Sequence, residues 1–155
     1  MTNSIFRIVP LPTAVAEAAR AQASAGASDH AFVEVDAPTG YPCRHCLQWA
    51  EPGERVILFP FSSIEPGHPY SESGPIFVHE RDCRPYEETA EYPAQFRAGR
   101  VLRAYDAQQN IIDAVALNGD APESVITRLF ANSDTAFLQA RSASRGCFTM
   151  RIERA

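Results

Sequence analysis

Residues 40–54 read GYPCRHCLQWAEPGE, and residues 75–83 read PIFVHERDC. The first stretch puts Cys43 and Cys46 three positions apart. The second ends with His79 and Cys83, four positions apart. These two pairs take three of the four cysteines in the chain. If they meet, they dictate which strands lie side by side, a stronger constraint than any periodicity in the chain.

The segments between them argue that they do meet. RVILFPF (55–61) is rich in β-branched and aromatic residues, and PIFVH (75–79) is a second such run. Consecutive strands usually become neighbours, here antiparallel. The start of the first strand then lies beside the end of the second. Cys43 and Cys46 come just before that start, and His79 and Cys83 sit at that end. His68 lies on the connection at the opposite end and is excluded. Pro60, which has no N–H, places the end of the first strand near a sheet edge or bulge.

Cys43, Cys46, His79 and Cys83 are a Cys3His ligand set. Zn²⁺ takes thiolate and imidazole in a tetrahedron, and four protein ligands make the closed, structural form. The expected cofactor is therefore one structural zinc ion. Bond lengths of about 2.0–2.3 Å place the ligand atoms within roughly 4 Å of each other. His45, inside the first pair, is the alternative imidazole, but is expected to point to solvent. The competing account is a set of reduced, buried thiols with a surface histidine.

Readings that need a reaction fit less well. A thioredoxin-like dithiol sits after a strand and at a helix N-terminus. Here YP precedes the pair, and Pro52-Gly53 interrupts the residues after it. A catalytic zinc needs an open position and a general base. Glu80 is beside His79, but there is no H-E-x-x-H. Cys147 has no histidine near it in sequence and reads as a half-buried strand thiol.

Composition narrows the remaining classes. A chain of 155 residues, 45% hydrophobic and 21% charged, suits one domain over residues 1–155. A net charge of -5 argues against nucleic acid and anionic membranes as partners. All 14 basic residues are Arg, so lysine Schiff-base and P-loop chemistry have no residue to use. No apolar run approaches the roughly 20 residues of a membrane span. The start, MTNSIFRIVPLP, lacks the features of a secretory signal. The expected location is the cytoplasm, where thiols stay reduced.

The rest of the chain reads as alternating short elements. IFRIV (5–9) and AFVEV (31–35) are strands, with a helix between them bounded by Pro12 and Gly26. Residues 36–54 carry no convincing element and form a long cysteine-containing loop. A short helix lies near PAQFRAG (93–99). RVLRAYD and NIIDAVAL form a hairpin across residues 107–109. DAPESVITRLFAN (120–132) is a helix, with Asp120 as cap and Glu123 completing a capping box. Val125, Ile126, Leu129 and Phe130 share its apolar face. TAFLQAR and CFTMRIER make a final hairpin around Gly146. The fold class is α+β, with a mostly antiparallel sheet and two or three covering helices.

Two polar features could bind a ligand. The segment 62–74 offers His68, Tyr70, Ser71, Glu72 and Ser73 as a rim. Arg103, Arg141 and Arg145 could gather over a sheet face to take a small polar or anionic ligand.

The stretches YPCRHCL, ESGPIFVHE, LRAYD and RGCF occur in an order that resembles the bacterial domain-of-unknown-function 1203 family, from about Phe6 to Arg154. The resemblance implies a small, single-domain bacterial protein. It supplies no catalytic residue, substrate or partner, so the metal site rests on spacing alone. The expectation is a binding or interaction module in which zinc orders residues 36–54. The alternative is an enzyme of unknown reaction that uses the loop 62–74 or an open zinc position.

Overall fold

In the computed structural model, residues 4–155 are described. Met1, Thr2 and Asn3, within the stretch read for a leader, lie outside the described residues. The elements follow the order β1 (Phe6–Val9), α1 (Thr13–Ser24), β2 (Ala31–Glu34), β3 (Arg55–Ser62), β4 (Ser73–His79), a short 3-10 turn (Ala94–Phe96), β5 (Arg100–Tyr105), β6 (Ile111–Ala116), α2 (Pro122–Phe130), β7 (Phe137–Ser142) and β8 (Phe148–Arg154). This is an α+β chain with antiparallel pairing between its strands. The strands form two sheets, where one was expected: a five-stranded β1-β8-β7-β5-β6 and a three-stranded β2-β3-β4.

The residues gather into two compact units, each assembled from separate stretches. One takes residues up to Val9, Ile64–Glu72 and Glu88–Ala155. The other takes Pro10–Ser63 and Ser73–Glu87.

In the first unit, strand registers build an apolar row. Ile8 pairs with Ile152, Ile152 with Leu138, and Leu138 with Ala104. All four are completely buried. Side chains two residues away share the same face, so Met150, Ala140 and Leu102 form a second buried row. The helix α2 buries Val125, Ile126, Leu129 and Phe130, the face expected from its periodicity. Arg154 of β8 lies over the Phe130 ring at 4.6 Å.

The cap of α2 differs from the expectation. The N-cap is Ala121, with no side-chain cap hydrogen bond, and Pro122 opens the helix. Asp120 lies one residue too early to cap, and Glu123 instead pairs with Arg97. Proline at the first helical position has no N–H to satisfy and a φ already suited to the helix. That sets the boundary without help from Asp120.

In the second unit, β3 runs through Pro60 to Ser62 and pairs with β4 along its whole length. Pro60 faces Pro75. Neither ring has an N–H, and strand prolines are tolerated where that N–H would face an edge. On the other side of β3, β2 reaches only to Leu58, so Pro60 sits beyond its partner. The helix α1 packs against β3 with an alanine face, burying Ala16, Ala19 and Ala23. Small side chains allow a close approach, and this brings Arg20 of α1 to the end of β4.

Candidate metal centre

Residues 41–50, read as structureless in the sequence, fold into a compact knuckle. Pro42 bridges Trp49. The N–H of Cys43 donates to Gln48 O at 2.9 Å, that of Leu47 to Cys43 O at 2.8 Å, and that of Ala50 to Tyr41 O at 2.9 Å. The turn closes because Leu47 takes a φ of 59°. This left-handed conformation is uncommon for a residue with a Cβ. Leu47 is fully buried, which helps to hold it there. The knuckle docks on β4: Cys43 bridges Phe77, and Arg44 N–H donates to Phe77 O at 3.0 Å.

The register of β3 and β4 sets His79 opposite Val56, beside the start of β3. Cys83 follows four residues later. The three sulfurs of Cys43, Cys46 and Cys83 and a ring nitrogen of His79 all lie within 4.8 Å of one another, a wider spread than the one expected from the bond lengths. The sulfurs of Cys43 and Cys83 are 3.8 Å apart, and Cys46 Sγ is 3.5 Å from His79 Nδ1. A regular tetrahedron with the usual zinc bond lengths has sulfur–sulfur edges of about 3.8 Å and sulfur–nitrogen edges of about 3.6 Å. A disulfide would bring two sulfurs to about 2.05 Å. Cys43 and His79 are buried, and Cys46 and Cys83 are half-buried. The two pairs are therefore one group, compatible with a metal site.

Cys43 and Cys46 share one negative charge, because their mutual contact, with that from Cys83, holds the Cys46 thiol above its ordinary pKa while it lowers that of Cys43. Hydrogen bonds from the Cys46 and Cys83 thiols outweigh burial and hold the Cys43 thiol far below its ordinary pKa. The backbone N–H of His79 also points at Cys43 Sγ, at 3.4 Å. Burial opposes charging of the His79 ring, but the sulfurs of Cys43 and Cys83 prevail and lift its pKa to about 9.

Two neighbours escaped the sequence reading, and a third was placed wrongly by it. Glu54 Oε1 lies 3.3 Å from His79 Nε2. Were a metal ion to displace the Nδ1 proton, the proton kept on Nε2 would face Glu54, the arrangement by which a carboxylate orients a ligating histidine. Glu54 is itself held. Glu51 N–H donates to Oε1 at 2.8 Å and Arg81 Nε to Oε2 at 2.6 Å. The Glu51 amide first, and Arg81 after it, pull its pKa down to about 2. Arg20 Nε donates to His79 O at 2.9 Å, and its NH2 group approaches Cys83 Sγ at 3.5 Å. A glutamate and an arginine 34 positions apart give no spacing signal, so only the fold could reveal them.

The third neighbour corrects an expectation. His45 does not point to solvent; it is 1% exposed. Its Nδ1 is 3.1 Å from Cys83 Sγ, and its Nε2 is 2.8 Å from Thr13 Oγ1. Burial lowers its pKa, which favours the neutral ring. A neutral His45 that donates from Nδ1 to a thiolate accepts the Thr13 hydroxyl proton at Nε2. It stands beside the group of four and supports Cys83.

Glu54→Gln is expected to weaken metal binding about 10- to 100-fold, the usual cost of removing such an orienting partner. Competition with a chromophoric chelator measures it. An unchanged affinity would show that Glu54 does not orient His79.

The other candidates lie elsewhere. Glu80 is taken by Arg55 in a two-pronged pair, both contacts at 2.6 Å. Cys147 is half-buried as expected, but it lies just before β8 and not in the strand. The His68 ring anchors its own segment, donating from Nε2 to Gln108 O at 2.8 Å and accepting Tyr70 N–H at Nδ1. Ser62 and Ser73 belong to the β3–β4 ladder.

Fold and group together define an α+β protein of two antiparallel sheets with a Cys3His cluster at the end of a strand pair. No helix among the described residues is long and apolar enough to cross a membrane. The chain belongs to the family described as Protein of unknown function (DUF1203), which it matches over residues 40–154. That span contains all four residues of the cluster. Searches of curated proteins and of solved structures return no match.

Proposed function

We propose that Cys43, Cys46, His79 and Cys83 bind one zinc ion, and that the ion is structural. The chain is then a binding module whose knuckle is ordered by metal. The observation that carries this reading is the convergence of all four ligand atoms within 4.8 Å, with two of their separations, 3.8 Å and 3.5 Å, at the length of zinc-tetrahedron edges. Softness supports zinc, since thiolate and imidazole together suit it, and tetrahedral sulfur-rich sites are typical of it. Four protein ligands close the shell, which favours a structural over a catalytic ion. Three thiolates against Zn²⁺ leave one negative charge, and Arg20 and His45 direct N–H groups at Cys83 to offset it. Reduced thiols are needed throughout, so the reading includes a reducing compartment such as the cytoplasm.

Untagged protein, purified under reducing conditions, is expected to contain one zinc per chain. X-ray absorption at the zinc edge should show three sulfur neighbours and one nitrogen. Protein that carries no zinc and takes up none when offered it would leave buried thiols as the better account.

A further inference from the structure

We infer that Arg103 and Arg141 form a binding site for a small organic carboxylate, in which the Glu72 side chain is an internal occupant that the ligand displaces. Register places the site. Arg103 of β5 pairs with Gln139 of β7, and Arg141 follows Gln139 by two, so all three project from one face of the five-stranded sheet. Arg141 is buried, and its guanidinium is fixed from two sides. Its Nε donates to Gln139 Oε1 at 3.1 Å, and its NH1 to Gly146 O at 3.0 Å. Gln139 is buried as well, and its Oε1 also accepts the Tyr105 hydroxyl at 3.2 Å. The cation is thus held in place before any ligand arrives, which lowers the entropy lost on binding.

The arginines converge on a single point. Glu72 Oε1 lies 2.5 Å from NH1 of Arg141 and 3.4 Å from NH1 of Arg103. An oxygen of a carboxylate is what that point accepts, because Glu72 shows one there. A carboxylate has one oxygen to bind and a second to leave in water, as Glu72 does with its side chain 54% exposed. The holder and the occupant differ in rigidity. Arg141 is locked in the sheet, whereas Glu72 ends the turn-rich segment 64–72, beside the first residue of β4. Glu72 can swing out into water once a ligand carboxylate takes its place on Arg141, which cannot follow it. Arg145, the third arginine expected here, is exposed on the turn before Cys147 and is not part of the converging pair. This inference concerns the first unit and does not depend on the metal reading.

A tethered competitor acts at an effective concentration on the order of millimolar, so free carboxylates must outcompete it. Removing it should reveal the site. We would titrate succinate, at constant ionic strength, into the whole chain as purified, by calorimetry. Glu72→Gln keeps the shape and removes the charge, and should bind succinate about five- to tenfold tighter than the unaltered chain, the factor by which self-occupancy suppresses apparent affinity. Adding Arg103→Gln, a partly exposed residue whose loss should not unfold the sheet, should remove that gain. Inorganic phosphate and chloride, titrated alongside, should bind more weakly than succinate. The proposal is overturned if Glu72→Gln gains no affinity, if the gain survives Arg103→Gln in a folded protein, or if phosphate or chloride matches succinate.

Discussion

Cys43→Ser is expected to abolish zinc binding and lower the melting temperature by about 10 °C, from a loss of roughly 4 kcal/mol in a domain of this size. Cys43 is the best protected of the three sulfurs, fully buried and facing the His79 amide. A serine oxygen stays protonated where the thiol ionises, and it is a poorer ligand for a borderline-soft ion. Zinc that binds only the folded chain adds its binding free energy to stability, so losing the ion loses that contribution. Burial of Leu47 and Ala50 is the knuckle's other support. Its packing centres on Val35, Ala50 and Val56, with Tyr41 and Phe77 beside them. Calorimetry and metal analysis measure both effects, and chelation of the unaltered chain should reproduce them. Limited proteolysis should then cut within residues 36–54. His68→Ala should leave the zinc content unchanged, because His68 belongs to the first unit. An unchanged melting temperature for Cys43→Ser, in protein that holds zinc when unaltered, would show the ion to be dispensable for folding.

Leu138→Ala should be as damaging for a different reason. Leu138 is completely buried in the middle of the row formed by Ile8, Ile152, Leu138 and Ala104. Neighbouring strands fix the backbone on both sides, so the vacated space cannot easily collapse. Burial of this kind, lost with incomplete relaxation, costs about 3–5 kcal/mol. The urea midpoint should fall while its slope stays the same. Zinc content should not change, since the cluster belongs to the other unit. The two variants thus separate loss of metal from loss of core. A midpoint shift equivalent to less than about 1 kcal/mol would mean that this row is not the stabilising centre of the sheet.

What the sequence made legible were features with local or short-range causes. The face of α2 followed from residues three and four apart. The antiparallel pairing of β3 and β4 followed from two β-rich runs in succession, and it brought His79 and Cys83 to the same end as Cys43 and Cys46. What stayed hidden depended on context. The knuckle turns on Leu47 at a φ of 59°, and nothing in a leucine announces a left-handed turn. His45 looked like a solvent residue because polar side chains in turns usually are. Its burial needs Thr13 from α1 and Cys83 from beyond β4, one on each ring nitrogen. Glu54 and Arg20 come from separate elements and meet only around His79. The split into two sheets was hidden because each unit interrupts the other along the chain. No stretch between them has the composition of a linker.

The pairing of β1 with β8 has a consequence for the order in which the chain can assemble. Phe6 faces Arg154, so β1 has its partner in β8, after all the other strands in sequence order. The five-stranded sheet therefore cannot close until β8 has been made, and residues 6–9 wait until then without their partner. The smaller sheet has no such delay: β2, β3, β4 and all four cluster residues are already in the chain once Cys83 is made. A metal ion captured at that moment would tie off one part of the nascent chain while its remaining strands are still being translated. Pairings of such long sequence separation are slow to form, so an early metal-tied unit would shorten the time during which exposed strands can aggregate.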